Sequence, residues 1–201
     1  MLLELIGLPG SGKSTLRKSI VRAYPVLDGD RVFQSGTTLR EMAALGPRPI
    51  ARSIQHFRLW DPAHRRLAKS FLKQLHLHRS ASAFVMEHGL IHGTWLFRFQ
   101  GHSVPVIKPP WPVAMIVVPP SLARERIRQK PQRLGTTNRI LGATEITGAA
   151  WQEAVATYDE IASVLQVHMY DNARRIQDTL AEIWTDFGVA FEGESRGAGL
   201  G

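Results

Sequence analysis

The chain has 201 residues, 44% of them hydrophobic and 21% charged, an ordinary balance for one soluble globular domain with a full core. No apolar run approaches the ~18 residues of a membrane span, and the apolar start is too short for a signal peptide. The lack of cysteine excludes disulfides, thiolate metal sites and a cysteine nucleophile, and suits the reducing cytoplasm where we expect this protein. The formal net charge of +8 points to a polyanionic ligand or only to a basic soluble protein, and it is unevenly placed: between Met42 and Met86 stand eight Lys or Arg and a single acid, Asp61.

Residues 2–6 read as a buried strand, and 13–24 as a helix with Leu16, Ile20 and Ala23 at helical spacing. Between them, Gly7-Leu8-Pro9-Gly10-Ser11-Gly12-Lys13-Ser14-Thr15 satisfies the phosphate-loop pattern G-x-x-x-x-G-K-[ST] at every fixed position, in the strand–loop–helix context that pattern requires. Backbone N–H groups can turn inward around phosphate oxygens only where side chains are absent, which Gly7, Gly10 and Gly12 allow. Lys13 can reach β- and γ-phosphates, and the Ser14 hydroxyl suits Mg²⁺, a hard cation. Ser11 and Thr15 complete the nucleotide cradle, and the helix starting near Lys13 turns its positive end to the same anion.

Pro25 ends this helix. Val26-Leu27 reads as a short strand running into an acidic turn, Asp28-Gly29-Asp30. Residues 37–44 suit a short helix closed by Gly46-Pro47-Arg48-Pro49. Residues 62–79 form a better one: Pro62 follows Asp61 at the first turn, Leu67, Phe71 and Leu75 make the inner face, and Arg65, Arg66, Lys69 and Lys73 the solvated one. Residues 81–86 read as a buried strand ending at Glu87-His88-Gly89, and 90–99 as a helix. Pro105, Pro109, Pro110 and Pro112 mark a loop. Then come a strand at 113–118, an Arg-rich helix at 122–130, a polar stretch at 132–147 and a helix at 151–165. A strand at 167–170 and a closing helix at 176–187 follow, and residues 192–201 have the composition of a disordered tail, leaving 1–190 as one domain.

Strands alternating with helices predict an α/β fold around a mostly parallel sheet, in which ligands gather at the carboxyl ends of strands. This singles out Asp28 and Asp30, either of which can orient or deprotonate an acceptor hydroxyl, and Glu87, which can hold Mg²⁺ together with Ser14. Each has a plainer reading, an Asp-Gly turn or an acid at a strand end, and His88 reads equally as a hydrogen-bonded structural residue. Arg124, Arg128 and Arg133 can close over a transferring phosphoryl group, although a helix cannot aim all its arginines at one ligand. Arg52 and Arg58 suit an acceptor phosphate, a nucleic-acid face, or solvent.

With these residues in hand the chain resembles the P-loop small-molecule kinases, the nucleoside and nucleotide kinase superfamily. The stretch Val113-Ala114-Met115-Ile116-Val117-Val118-Pro119-Pro120-Ser121-Leu122-Ala123-Arg124-Glu125-Arg126-Ile127 is similar to the fourth strand and lid-entering helix of thymidylate kinases. Val167-His168-Met169-Tyr170-Asp171-Asn172-Ala173 is similar to their last strand and adenine-side loop. Leu27-Asp28-Gly29-Asp30 is closer to adenylylsulfate and shikimate kinases. The resemblance implies a P-loop NTPase three-layer sandwich with a five-stranded parallel sheet and a mobile lid over about 122–147. It also implies ATP with Mg²⁺ as donor, Asn172 on the nucleotide side, a small-molecule acceptor, and is compatible with a dimer. Glu87-His88 stands where thymidylate and deoxynucleoside kinases carry an acid–Arg pair, which points away from thymidylate as acceptor. A nucleotide-dependent switch or nucleic-acid-binding NTPase shares the loop and is the alternative class.

Overall fold

The computed structural model describes residues 1–34, 46–129 and 149–197, apart from the side chains of residues 33, 34, 49, 52–54 and 189–197. The predicted helix at 37–44, Arg133, and most of the predicted lid therefore lie outside the described residues, as does the side chain of Arg52.

Strand β1 (Leu2–Ile6) is buried along its whole length, as an apolar run in a sheet covered on both faces should be. It lies at the centre of a five-stranded, all-parallel sheet. The other strands are β2 (Leu27–Asp28), β3 (Phe84–Met86), β4 (Val113–Val117) and β5 (His168–Asp171), in the order β2-β3-β1-β4-β5. The period of two sorts side chains into two layers. Leu2, Ile6, Phe84, Met86, Val113 and Met115 pack on one side against Leu67, Leu90, Trp95, Tyr158 and Ile161. Leu3, Leu5, Val85, Ala114 and Ile116 pack on the other against Leu16, Ile20 and Ile183.

The helices are α1 (Lys13–Ala23), α2 (Gly29–Gln34), α3 (Pro47–His56), α4 (Pro62–Arg79), α5 (Leu90–Phe99), α6 (Pro120–Arg128), α7 (Ala149–Leu165) and α8 (Ile176–Gly197). Three differ from the sequence reading. Asp28-Gly29-Asp30 is not a turn: Asp28 Oδ1 accepts from the N–H groups of Asp30 and Arg31, so the aspartate caps α2. Helix α3 was unforeseen because Pro47 and Pro49 look like breakers, yet in a first turn the missing N–H costs nothing. Helix α8 continues past the expected end at residue 187 to Gly197, through a segment poor in apolar residues but free of proline. Among the described residues no helix is long and apolar enough to cross a membrane.

Candidate active site

The loop after β1 closes on its own lysine. Lys13 Nζ donates to the carbonyl oxygens of Gly7 at 2.5 Å and Leu8 at 3.0 Å, and to Ser11 Oγ at 3.4 Å. Backbone curvature this tight needs glycine: Gly7 and Gly10 have φ of 139° and 82°. A Cβ on Gly7 would stand 2.3 Å from the Ile116 oxygen, and one on Gly10 2.4 Å from the Ala123 oxygen. Among the described residues the N–H groups of Gly10, Gly12 and Ser14 donate to no backbone acceptor outside the regular elements, so the loop and the first turn of α1 present a cluster of donors. Thr15 is exposed, and its N–H donates to the Gly12 oxygen at 3.0 Å.

Two residues tie the loop to the elements beside it. The buried Ser11 carbonyl accepts from Asn172 Nδ2 at 2.7 Å and from Arg126 Nη1 at 3.4 Å, and Arg126 Nη2 donates to the Asn172 oxygen at 2.8 Å. Asn172 N in turn donates to the Val117 oxygen at 2.9 Å, at the end of β4. Arg126 thus touches the loop. Arg124 and Arg128 each lie two residues away, about 200° round the helix, and their side chains make no hydrogen bond or ion pair among the described residues.

The acids converge on a residue that the motifs did not mark. Arg17 is one turn beyond Ser14 on the same face of α1, with a side chain 11% exposed. Its guanidinium meets three carboxylates. Nη1 donates to Asp28 Oδ1, Nε faces Asp30 Oδ2 at 3.2 Å, and Nη2 faces Glu87 Oε1 at 3.3 Å. Its position on the loop's own helix was the available signal, and a basic side chain one turn in reads as solvated unless the strand-end acids are known to sit beside it.

Glu87 is buried and faces both ways, since its Oε2 accepts from Ser14 Oγ at 2.7 Å. Asp30 is also buried and accepts from the N–H groups of Glu87 at 3.2 Å and His88 at 3.1 Å, which fastens α2 to the end of β3. Burial raises the Asp30 carboxyl, but hydrogen bonds from His88 and the charges of His88 and Arg17 outweigh it and hold it below the usual range. The His88 imidazole, whose Nδ1 lies 3.4 Å from Asp30, is raised by that hydrogen bond against the effect of burial. Asp28 is the more accessible acid: its Oδ1 carries the cap and the Arg17 contact, while Oδ2 has only Arg31 at 3.6 Å. Arg58 is exposed, and its N–H donates to His64 Nδ1 at 3.0 Å.

Behind the loop lies a second unforeseen group. Glu4, in the middle of β1, is fully buried. Its Oε1 accepts from the N–H groups of Ile91 at 2.7 Å and His92 at 3.3 Å, the first turn of α5, and its Oε2 from Trp111 Nε1 at 3.2 Å. It is thus an N-terminal cap for α5 supplied from β1, far off in sequence. Burial outweighs these bonds and pushes its carboxyl up from 4.5 to about 7. His92 moves oppositely, down to about 3, through burial and the charge of Lys13.

These shifts have opposite signs in stability. The stability that accompanies a neutral Glu4 is whole below pH 4.5 and lost as pH rises to about 7. The stability that accompanies a neutral His92 is present above 6.5 and lost as pH falls towards 3. The two mask each other in the wild type. The Glu4→Gln variant isolates the first: its unfolding free energy relative to wild type should grow by about 3 kcal/mol between pH 4.5 and 7.5. Urea unfolding across that range checks this, and parallel curves would refute it.

No protein-family model matches the chain, and no curated protein matches it. Solved structures do. Deoxyadenosine kinase from M. mycoides, solved with dCMP and dCDP, aligns over 94% of this chain and 99% of its own, with a TM-score of 0.55 and 12% identity. The same enzyme with bound dATP aligns over 94% and 100%, at 0.55 and 13%. The YorR protein from Bacillus subtilis aligns over 96% and 98%, at 0.51 and 15%. At such identities the likeness concerns the fold, which is that of the P-loop small-molecule kinases.

Proposed function

We propose that this chain, built on the kinase fold, is a phosphotransferase that moves the γ-phosphoryl group of ATP to a hydroxyl or phosphate oxygen of a small molecule. The observation that supports this most directly is the 2.7 Å contact between Ser14 Oγ and Glu87 Oε2 beside the lysine-closed loop. It sets a hydroxyl and a carboxylate together where the loop's donors converge. The donor set suits Mg²⁺: Ser14 and Glu87 would hold it, and one ligand atom each from Asp30, Glu87 and His88 lie within 4.8 Å of one another. When bound, the ion neutralises charge between the β- and γ-phosphates.

The chain's own residues supply the rest. The N–H groups of the loop and Lys13 bind and orient the phosphates, and catalysis in this class is positioning and charge stabilisation. Asp30 is committed to its internal hydrogen bonds, so Asp28, through its freer Oδ2, orients the acceptor hydroxyl or takes its proton. Arg124, Arg128 and Arg133 are proposed to approach the transferring group, and Arg52, Arg58 and His88 the acceptor. A nucleoside or nucleotide acceptor agrees with the ligands named for the solved neighbours, and a specialised hydroxylated metabolite agrees equally with Asp28. The cytoplasm is the proposed location.

The test is product analysis with ATP and Mg²⁺ against nucleosides, nucleoside monophosphates, neutral hydroxylated metabolites and short RNA. A phosphorylated small molecule is expected, with Asp28→Asn slowing its formation by about a hundredfold. ATP hydrolysis stimulated by RNA alone, with no phosphorylated product, would replace this reading with a nucleic-acid-dependent NTPase.

A further inference from the structure

A cavity of about 900 Å³ lies between α3, the C-terminal half of α4 and the proline-rich segment before β4. Its walls divide by chemistry. Phe71, Leu75 and Ile107 are buried or half-buried and supply an apolar floor. Arg48, His56, Arg79 and Lys108 are exposed and ring it, and among the described residues no carboxylate lines it. None of these four makes an ion pair or side-chain hydrogen bond among the described residues. A bare solvated face would look different: nearer the start of α4, Arg65, Arg66 and Lys69 border a depression of only about 270 Å³, with no apolar floor beyond Pro62 among the described residues.

The cavity is not the site described above. Arg79 precedes β3 and Lys108 precedes β4, so it sits at the amino ends of these strands, whereas the phosphate loop follows the carboxyl end of β1. A strand of five residues separates the two ends by roughly 15 Å. Its volume is in the range of small-molecule sites, about 300–1,000 Å³.

We infer that this cavity is a second ligand site, one that takes a small amphipathic anion: an aromatic or aliphatic body seated on Phe71, Leu75 and Ile107, with a sulfonate, carboxylate or phosphate held by Arg48, Arg79 and Lys108. Guanidinium groups suit such oxyanions because two N–H donors can engage two oxygens at once. The volume and the apolar floor fit a small molecule with an apolar body rather than a flat polyanion. The inference is independent of the phosphotransferase reading.

The test uses the full chain and two fluorescent probes with closely related apolar bodies, 8-anilinonaphthalene-1-sulfonate and its uncharged analogue N-phenyl-1-naphthylamine. The sulfonate should bind saturably at one site per chain, unaffected by saturating ADP with Mg²⁺ and by Lys13→Ala. The double variant Arg79→Glu, Lys108→Glu should weaken it by about tenfold or more, while the neutral probe changes less than about twofold. Arg48→Glu, on a different wall, should act in the same direction, and a melting temperature unchanged in either variant shows that the fold is intact. Displacement by ADP would place the probe at the phosphate loop. Equal effects on both probes, or none on the sulfonate, would show that the cationic ring recognises nothing. Each of these outcomes would overturn the inference.

Discussion

Lys13→Ala is expected to reduce phosphotransfer by about a hundredfold or more, since one lost electrostatic contact to a developing charge costs that much where water is excluded. Lys13 Nζ is held by the Gly7 and Leu8 carbonyls and by Ser11 Oγ. Its removal therefore subtracts both a charge and an internal brace. A fold-only role would lower the melting temperature and leave turnover per folded molecule unchanged. The expected result is the reverse: a modest change in melting temperature, and a loss in kcat that survives correction for folded fraction. Undiminished phosphotransfer by the folded variant would end the central reading.

Arg17→Ala should be among the most destabilising substitutions in the chain. The side chains of Asp28, Asp30 and Glu87 are 16%, 5% and 5% exposed, and all three face this one guanidinium. Taking away one partner of a buried ionic cluster leaves uncompensated charge and costs about 3–5 kcal/mol, where building the pair adds far less. For a domain of this size that corresponds to a melting temperature lower by on the order of 10 °C. A second readout separates this from simple loss of packing. Three carboxylates without their cation should bind Mg²⁺ more readily, so millimolar Mg²⁺ should raise the variant's melting temperature by more than it raises the wild type's. A variant that melts with the wild type, or one that Mg²⁺ does not favour, would show that Arg17 does not neutralise the cluster.

Much of this site is legible in the chain because its parts are local. The phosphate loop is eight consecutive positions, and an apolar strand before it with a helix after it suffices to place it. Asp28 ends β2, Glu87 and Asn172 follow β3 and β5, and the rule that ligands gather at carboxyl ends brings them towards the loop. Helices α4 and α5 have the predicted bounds because Asp61 caps one and both carry an apolar stripe. The choice among the lid arginines was not legible: Arg124, Arg126 and Arg128 are equivalent in composition. Only the packing of α6 beside the loop turns Arg126 to the Ser11 carbonyl.

Periodicity and contiguous residues suffice for the parallel α/β architecture, the phosphate loop and the set of acids available to it. How those acids are compensated, and which remain accessible, depends on packing between distant elements. Arg17 gathers Asp28, Asp30 and Glu87 from three elements, and Glu4 caps a helix 87 residues away. Both depend on charge and desolvation. These act through space at a few ångströms, between residues whose distance along the chain carries no trace of their contact.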